Sequence, residues 1–373
     1  MVTPFKITKN PIKVLHVSSE PSWRGGEQQL TYLYSELEEK GVQQIILCAT
    51  DSVMEAYCKE HGWNYYTAPK KTGVAIKFSK NIKSICKKLA IDLVHTHDAH
   101  AHTFAIIAAA IFGNKTPLVV SRRVDFPISK SRTSIFKYNH KRVKKIVCVS
   151  DKIKEITAVD ISDQSKLITV HSGIDLSKFE GSYKKGKLRV ELGLSSQLLI
   201  GNTSALADHK DYFTFLDTAI ALNKLRSDCY FVIMGSGPME VEIKTYADKL
   251  GLENITFTGF RNDIPEVLED LDVFLITSKT EGLGTSILDA FACNVPVVAT
   301  AAGGIPEIVI DEKSGLIAPV KDADLLAKQV DRLLNDQQLK TDILKGAKET
   351  LNWYTKEATA EKTLTVYQEV LGR

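Results

Sequence analysis

The sequence predicts an α/β protein built from two doubly wound, Rossmann-like parallel-sheet domains. Three observations carry that expectation. Short β-branched runs alternate with amphipathic stretches along nearly the whole chain. The alternation lapses once, over residues 171–187, and then restarts. A length of 373 residues suits two hydrophobic cores better than one.

In the first half, IKVLHVS, QIILCAT, DLVHTH, PLVVS and KIVCVS read as strands, with amphipathic helices over residues 28–40 and 75–90. In the second half, QLLIGNTS, CYFVIMG, NITFTG, DVFLITS and VPVVAT repeat the pattern. Such apolar runs suit strands buried on both faces, and their alternation with helices makes neighbouring strands parallel. We therefore expect a first domain over 1–180 and a second over 181–353. The intervening HSGIDLSKFEGSYKKGK is rich in Gly, Ser and Lys and has no periodicity. The last helix, within 354–373, follows an already complete second sheet and is expected to pack back on the first domain. Open α/β sheets bind ligands at the carboxyl ends of their strands, so the active site is expected in a crevice between the domains.

Composition narrows the class. Hydrophobic content of 44% and charged content of 25% are ordinary for a globular enzyme. The longest apolar stretch, FAIIAAAIF, is too short to span a bilayer, and the N-terminus lacks the apolar run of a signal peptide. The six cysteines are scattered without a CxxC pair, so a cytoplasmic protein without disulfides is expected. Residues 1–180 hold 27 Lys+Arg against 17 Asp+Glu, whereas the remainder holds 21 against 28. This asymmetry predicts different partners for the two domains.

The segment SKTEGLGTSILDAFACNVPVVAT combines features that seem opposed. After the strand DVFLITS, residues Gly282, Leu283, Gly284 and Thr285 lead into a helix, whose first amides can take an anion. Glu281 beside them would repel one, and Asp289 lies one helical turn after Thr285. A carboxylate accepts two hydrogen bonds from neighbouring hydroxyls. A nucleotide diphosphate sugar satisfies both demands: amides for the diphosphate, Glu281 for the sugar hydroxyls and Asp289 for the ribose diol. Alone, the glycine loop is equally compatible with a solvated loop acid and an exposed helix acid.

Two further stretches place polar groups at strand ends. HTHDAHAH, residues 95–102, puts His95 and His97 on one face of a strand and His100 and His102 in the next helix. No third ligand is evident, so no metal site is expected; His97 is a candidate for a direct role, and Asp98 for that or for capping the helix. Gly25 and Gly26 also follow a strand and open a helix, which would let a phosphate or sugar approach the backbone.

EGLGTSILDAFACNVPVVATAAGGIPEIV resembles the E-x7-E segment of glycosyltransferase family 4, with Glu281 as its first acid. RGGEQQLTYLYSEL is similar to that family's N-terminal Gly-Gly loop, and VHSGID to its interdomain element. GSGPMEVEIKTYADKLGLENITFTGF, which starts at Gly235 and precedes Arg261, resembles its base-binding region. The resemblance covers nearly the whole chain and implies the GT-B fold. It also implies a retaining hexosyltransferase using a nucleotide sugar, UDP-galactose or UDP-glucose for example, without a metal or other cofactor. The implied catalytic set is Glu281, Lys210, Arg123 and His97. The implied donor set is Gly25, Gly26, Lys210, Gly235, Arg261, Glu281, Gly282, Leu283, Gly284, Thr285 and Asp289. Three departures stand out. The second acid is Asp289 rather than Glu. Of the family's Arg-x-Lys pair only Lys210 remains, with Asn202, Thr203 or Ser204 near the arginine position. Arg122 and Arg123 stand where many members have a histidine after the fifth strand.

The expected acceptor is a membrane lipid or lipid-linked glycan. Residues 115–145 hold ten Lys+Arg and one acid, Asp125. Ile128, Ile135, Phe136 and Tyr138 interleave with them, as in a segment lying on an anionic membrane surface. Arg122 and Arg123 are placed to hold an anionic head group, and no nucleic-acid partner is expected. The alternatives are a solvated cationic face or a clamp for a soluble anionic acceptor. For the activity itself, the alternatives are a nucleotide-sugar epimerase of similar fold and a non-catalytic nucleotide-sugar binder.

Overall fold

A computed structural model describes residues 11–69, 74–128, 131–181 and 186–373. Lys130 of the basic segment and residues 182–185 of the expected linker lie outside the described residues. The chain forms two compact units: one holds the residues up to Ser172 together with Lys356–Arg373, the other Gly173–Thr355.

The first unit contains β1 (Lys13–Val17), β2 (Gln43–Ala49), β3 (Tyr65–Ala68), β4 (Leu93–Thr96), β5 (Leu118–Arg122), β6 (Val143–Cys148) and β7 (Leu167–Thr169). They form one parallel sheet in the order β3-β2-β1-β4-β5-β6-β7. The second unit contains β8 (Leu198–Thr203), β9 (Cys229–Met234), β10 (Ile255–Gly259), β11 (Val273–Ile276), β12 (Val297–Thr300) and β13 (Leu316–Ala318). Their order is β10-β9-β8-β11-β12-β13, again parallel throughout. Both sheets are doubly wound, as the alternating pattern predicts. Strands β3, β7 and β13 were not foreseen; each lies at an edge of its sheet.

Buried strand residues explain the layering. Val14, Leu93, Val119 and Val147 in the first sheet, and Ile200, Phe231, Val273 and Val298 in the second, are buried at the centre of their cores. Residues buried on both faces of a strand require helices on both sides of the sheet. The C-terminal helix Lys356–Leu371 joins the first core through Ala360, Val366 and Tyr367. It packs against the first helix, Gly25–Glu39. Each large apolar side chain buried there contributes about 1.5–3 kcal/mol.

In each sheet the strand order reverses once, between β1 and β4 and between β8 and β11. Loops leaving the carboxyl ends of those pairs diverge to opposite faces and leave a crevice there. Most of the side chains considered below emerge at or beside one of these two points.

Candidate functional site

At the switch point of the second sheet, Lys210 follows β8 and Glu281 follows β11. Their loops are stitched together by local bonds. Lys279 N donates to the His209 carbonyl at 2.9 Å, and Thr277 Oγ1 donates to the Asp211 carbonyl at 3.0 Å. Lys210 Nζ forms an ion pair with Glu281 Oε2, with only 14% and 13% of the two side chains exposed. Ser278 Oγ donates to the same carboxylate oxygen at 3.3 Å. Water competes little there, so each charge is held mainly by the other.

The Glu281 backbone is constrained as well. Gly304 N donates to the Glu281 carbonyl at 3.0 Å. Gly303 has φ of +52°, and a Cβ on it would sit 1.9 Å from that carbonyl oxygen, so no side chain fits. Gly284, with φ of +89°, turns the chain into the helix Thr285–Ala292, while buried Leu283 anchors the turn. Ile287 N donates to the Gly284 carbonyl at 2.9 Å, and the Thr285 and Ser286 amides ahead of it are the ones a helix start leaves without a carbonyl one turn back. Asp289 is half-buried one turn later. Burial pushes its carboxyl up to about 7, against the pull of nearby Lys178.

Gly235 follows β9, and a Cβ on it would meet the Ser204 carbonyl oxygen at 1.9 Å. Arg261 stands apart from the rest. It follows the edge strand β10 and is paired with Glu191 at 2.8 Å and Asp263 at 2.6 Å. The fold thus groups Lys210, Glu281, Gly282, Leu283, Gly284, Thr285 and Asp289 at one crevice and leaves Arg261 two strands away from β8. Asn202, near the expected arginine position, is committed to the fold. It donates to the Leu275 carbonyl at 2.6 Å and accepts from Tyr212 OH at 2.8 Å.

At the switch point of the first sheet, a buried histidine cluster takes the place of charge. His16 on β1, His95 on β4 and His97 just beyond β4 are 0%, 1% and 4% exposed. His16 Nδ1 lies 3.0 Å from His97 Nε2, and His16 Nε2 lies 3.0 Å from Gln44 Oε1. His95 bonds Tyr367 OH at 2.6 Å and Ser121 Oγ at 2.8 Å. Burial lowers the His16 pKa to about 4 and holds His95 and His97 well below the usual imidazole range, with further repulsion from Arg123 on the latter two. All three rings are neutral at physiological pH.

This cluster corrects one inference from the sequence, that His95 and His97 have no third partner. His16, 79 and 81 positions away in the chain, is brought alongside by the pairing of β1 with β4. One nitrogen from each ring lies within 4.8 Å of the others, the spacing of a metal-ligand set. On His16 and His95 a metal would have to displace hydrogen bonds that both ring nitrogens already make. Asp98 is a helix cap. It accepts from His100 N and Ala101 N at 2.9 and 2.8 Å, and from Ser19 N and Oγ at 2.6 and 2.7 Å.

Around the cluster, Gly25 and Gly26 open the first helix, and Gly26 packs against Arg123, with 3.9 Å from its would-be Cβ to Arg123 Cδ. Arg123 donates to Ser172 Oγ at 3.0 Å, and burial lowers its pKa to about 10, partly offset by Glu27. Glu27, next to the two glycines, is buried and accepts from Ser18 Oγ at 3.1 Å; burial raises its pKa. A carboxyl in that first turn disfavours a phosphate at these glycines and suits hydroxyls. Sequence reasoning missed Glu27, His16 and Gln44, although a polar residue inside an apolar strand, as in IKVLHVS, is a usable signal.

The basic segment also departs from expectation. Arg122 is buried, donates to Tyr138 OH at 3.2 Å and to the Phe126 carbonyl, and lies over both rings. It is therefore unavailable to a head group. Ile128 and Tyr138 point inward, Tyr138 packing against the His102 ring. Phe126, Ile135 and Phe136 remain exposed. Among the described residues, no helix is long and apolar enough to cross a membrane.

Comparison with known proteins gives a consistent result. Residues 23–178 match the model of Glycosyltransferase Family 4, and residues 185–350 that of Glycosyl transferases group 1. An Escherichia coli UDP-Gal:alpha-D-GlcNAc-diphosphoundecaprenol alpha-1,3-galactosyltransferase is 26% identical over 354 residues, covering 90% of this chain and 91% of the relative. A Bacillus anthracis N-acetyl-alpha-D-glucosaminyl L-malate synthase is 23% identical, covering 84% of each. Among solved structures, Anabaena HepE in complex with UDP and glucose superimposes with a TM-score of 0.84 at 19% identity, covering 96% of this chain and all of that one. With two doubly wound parallel sheets, both family models matched in chain order and this structural likeness, the chain belongs to the family-4 glycosyltransferases of GT-B fold.

Proposed function

We propose that this glycosyltransferase is a retaining, metal-independent hexosyltransferase that moves a hexose from a UDP-sugar to a lipid-linked glycan. The observation that carries the reading is the Lys210–Glu281 pair beside the Gly282–Gly284 turn. An ammonium has three donors. Lys210 can keep one on Glu281 and turn the others to a diphosphate, whose charge grows as the glycosidic bond breaks. The amides opening the helix at Thr285 add preorganised positive potential. Glu281 accepts from donor-sugar hydroxyls, and Asp289 from the ribose. In the first unit, Arg123 and His97 serve the acceptor side. With no carboxylate assigned as a nucleophile, the acceptor hydroxyl attacks the face the diphosphate leaves, and the departing phosphate takes its proton.

The UDP and lipid-linked assignments are supported by the E. coli relative, whose name states both. Docking of the first unit on an anionic leaflet is supported by exposed Phe126, Ile135 and Phe136 among Arg132, Lys141 and Lys144. A soluble anionic acceptor is the second reading, favoured by the malate-linked B. anthracis relative. A screen of UDP-hexoses against undecaprenyl-diphosphate-linked sugars and soluble acids, with and without EDTA, tests the whole assignment. We expect transfer with the anomeric configuration kept, on the lipid-linked acceptor, undiminished by chelator. Transfer only to soluble acids, inversion, or loss of activity in EDTA would each overturn the corresponding part. Consumption of UDP-sugar without any acceptor would favour an epimerase.

A further inference from the structure

We propose that Gln44 is a positioning residue that fixes the tautomer of His97, so that His97 Nδ1 presents a lone pair to a sugar hydroxyl. The functional half of this proposal rests on the reading that His97 serves the acceptor side. The chain of inference begins away from the site. Gln44 Nε2 donates to the Tyr34 carbonyl at 2.8 Å, which turns its Oε1 towards His16 Nε2, 3.0 Å away. An amide oxygen only accepts, so His16 Nε2 carries the proton. His16 is a neutral ring, so its Nδ1 is a lone pair. His97 Nε2, 3.0 Å from that lone pair, must then be the protonated nitrogen. The neutral ring of His97 is left with an unprotonated Nδ1.

That nitrogen is buried and has no hydrogen-bond partner among the described residues. Two other side-chain atoms at the ends of β4 and β5, Thr96 Oγ1 and Arg123 Nε, are in the same condition. Buried polar groups are normally paired, and leaving one unpaired is costly. Of these, the His97 acceptor and the Arg123 N–H donor lie beside the β1/β4 switch point, near enough for the Arg123 charge to act on His97, whereas Thr96 points to the opposite face of β4. A sugar hydroxyl, which both donates and accepts, is the complement of the His97 and Arg123 pair. With the opposite tautomer, His97 Nδ1 would present a second donor beside Arg123. His95 does not set the order, since both its partners are hydroxyls that serve either tautomer.

Nitrogen-15 NMR of the histidine rings in the ligand-free protein at neutral pH tests the relay without reference to catalysis. We expect His16 and His97 each to be protonated at Nε2 and bare at Nδ1. In Gln44→Met the bias is removed, and His97 should become a mixture of tautomers. Gln44→Glu keeps an acceptor facing His16 and should keep the wild-type pattern. A wild-type His97 protonated at Nδ1 overturns the proposal even if neither variant folds. So does a His97 spectrum unchanged in Gln44→Met. In transfer assays, Gln44→Met should lower kcat/KM for the acceptor about tenfold, with UDP affinity unchanged and Gln44→Glu retaining most of the activity. A tautomer shift without a kinetic effect would leave the relay standing and remove His97 from the acceptor site.

Discussion

The two switch points occupy equivalent places in equivalent sheets, yet they are furnished in opposite ways. Beside β8 and β11 stand a lysine and a glutamate, paired and largely withdrawn from solvent, with a glycine turn between strand and helix. Beside β1 and β4 stand three neutral histidines in ring contact, His16 bonded to His97 and Gln44, and His95 to Ser121 and Tyr367. The difference teaches what each crevice can select. A fixed ion pair at reduced dielectric suits a ligand whose charge grows during reaction. Neutral rings with directed lone pairs suit hydroxyls, whose recognition depends on hydrogen-bond direction rather than field. One topology thus carries a charged crevice in one sheet and a neutral, hydrogen-bonded one in the other.

The strongest way to break this comparison is to remove the charge at the second sheet. Glu281→Ala and Lys210→Ala should each reduce transfer more than tenfold in proteins that remain folded. Charge-assisted hydrogen bonds contribute about 1.5–3 kcal/mol, which is roughly a tenfold to hundredfold effect. Turnover equal to wild type in both folded variants would take the pair out of the reaction and leave the second crevice no more charged in function than the first.

A smaller effect should follow from disturbing the neutral cluster. Tyr367→Phe removes the hydroxyl that bonds His95 Nδ1 and leaves a buried ring nitrogen unpaired. We expect a loss of about 1–3 kcal/mol in unfolding free energy. Denaturant unfolding monitored by circular dichroism would measure it. No loss would mean that the cluster contributes nothing to the packing of the C-terminal helix.

A third effect concerns Asp289 and is read through pH. Its carboxyl titrates near 7 in the folded state because burial disfavours the charged form. Folding therefore favours the protonated acid, and stability is lost as pH rises above the ordinary carboxylate range and through about 7. Asp289→Asn should be more stable than wild type at pH 8, by a margin that grows from near zero at pH 4 as the pH rises to about 7. On the proposed ribose contact, donor affinity of the wild type should rise over the same interval, since an ionised carboxylate accepts two hydrogen bonds; the asparagine variant should lose that rise. A pH-independent difference between the two proteins would show that ionisation of Asp289 is not involved.

Much of the architecture was legible because its causes are local. A strand buried on both faces needs a continuous apolar run, a following helix needs an amphipathic one, and their alternation repeats over many residues. The turn at Gly282–Gly284 was visible for the same reason: glycine at φ of +89° ahead of an apolar helix leaves its mark in adjacent letters. Strands β3, β7 and β13 escaped because their neighbours, not their own letters, make them strands. Arg122 was misread for a related reason. Its sequence context is cationic, but the rings of Phe126 and Tyr138 close over it only in the fold.

What the sequence determined by itself was the class of fold, two parallel doubly wound sheets, and the chemical kinds of side chain at strand ends. Hydrophobic periodicity and glycine turns are sufficient for that, since they act within a few residues. Which of those side chains meet was decided only in three dimensions. Lys210 reaches Glu281, 71 residues on, because β8 and β11 are neighbours in the sheet. Gln44, His16 and His97 line up across β2, β1 and the end of β4, with 28 and 81 residues between successive partners. Strand register sets those meetings, and register is a property of the whole sheet. A proton's position on His97 therefore depends on an amide that no local pattern connects to it.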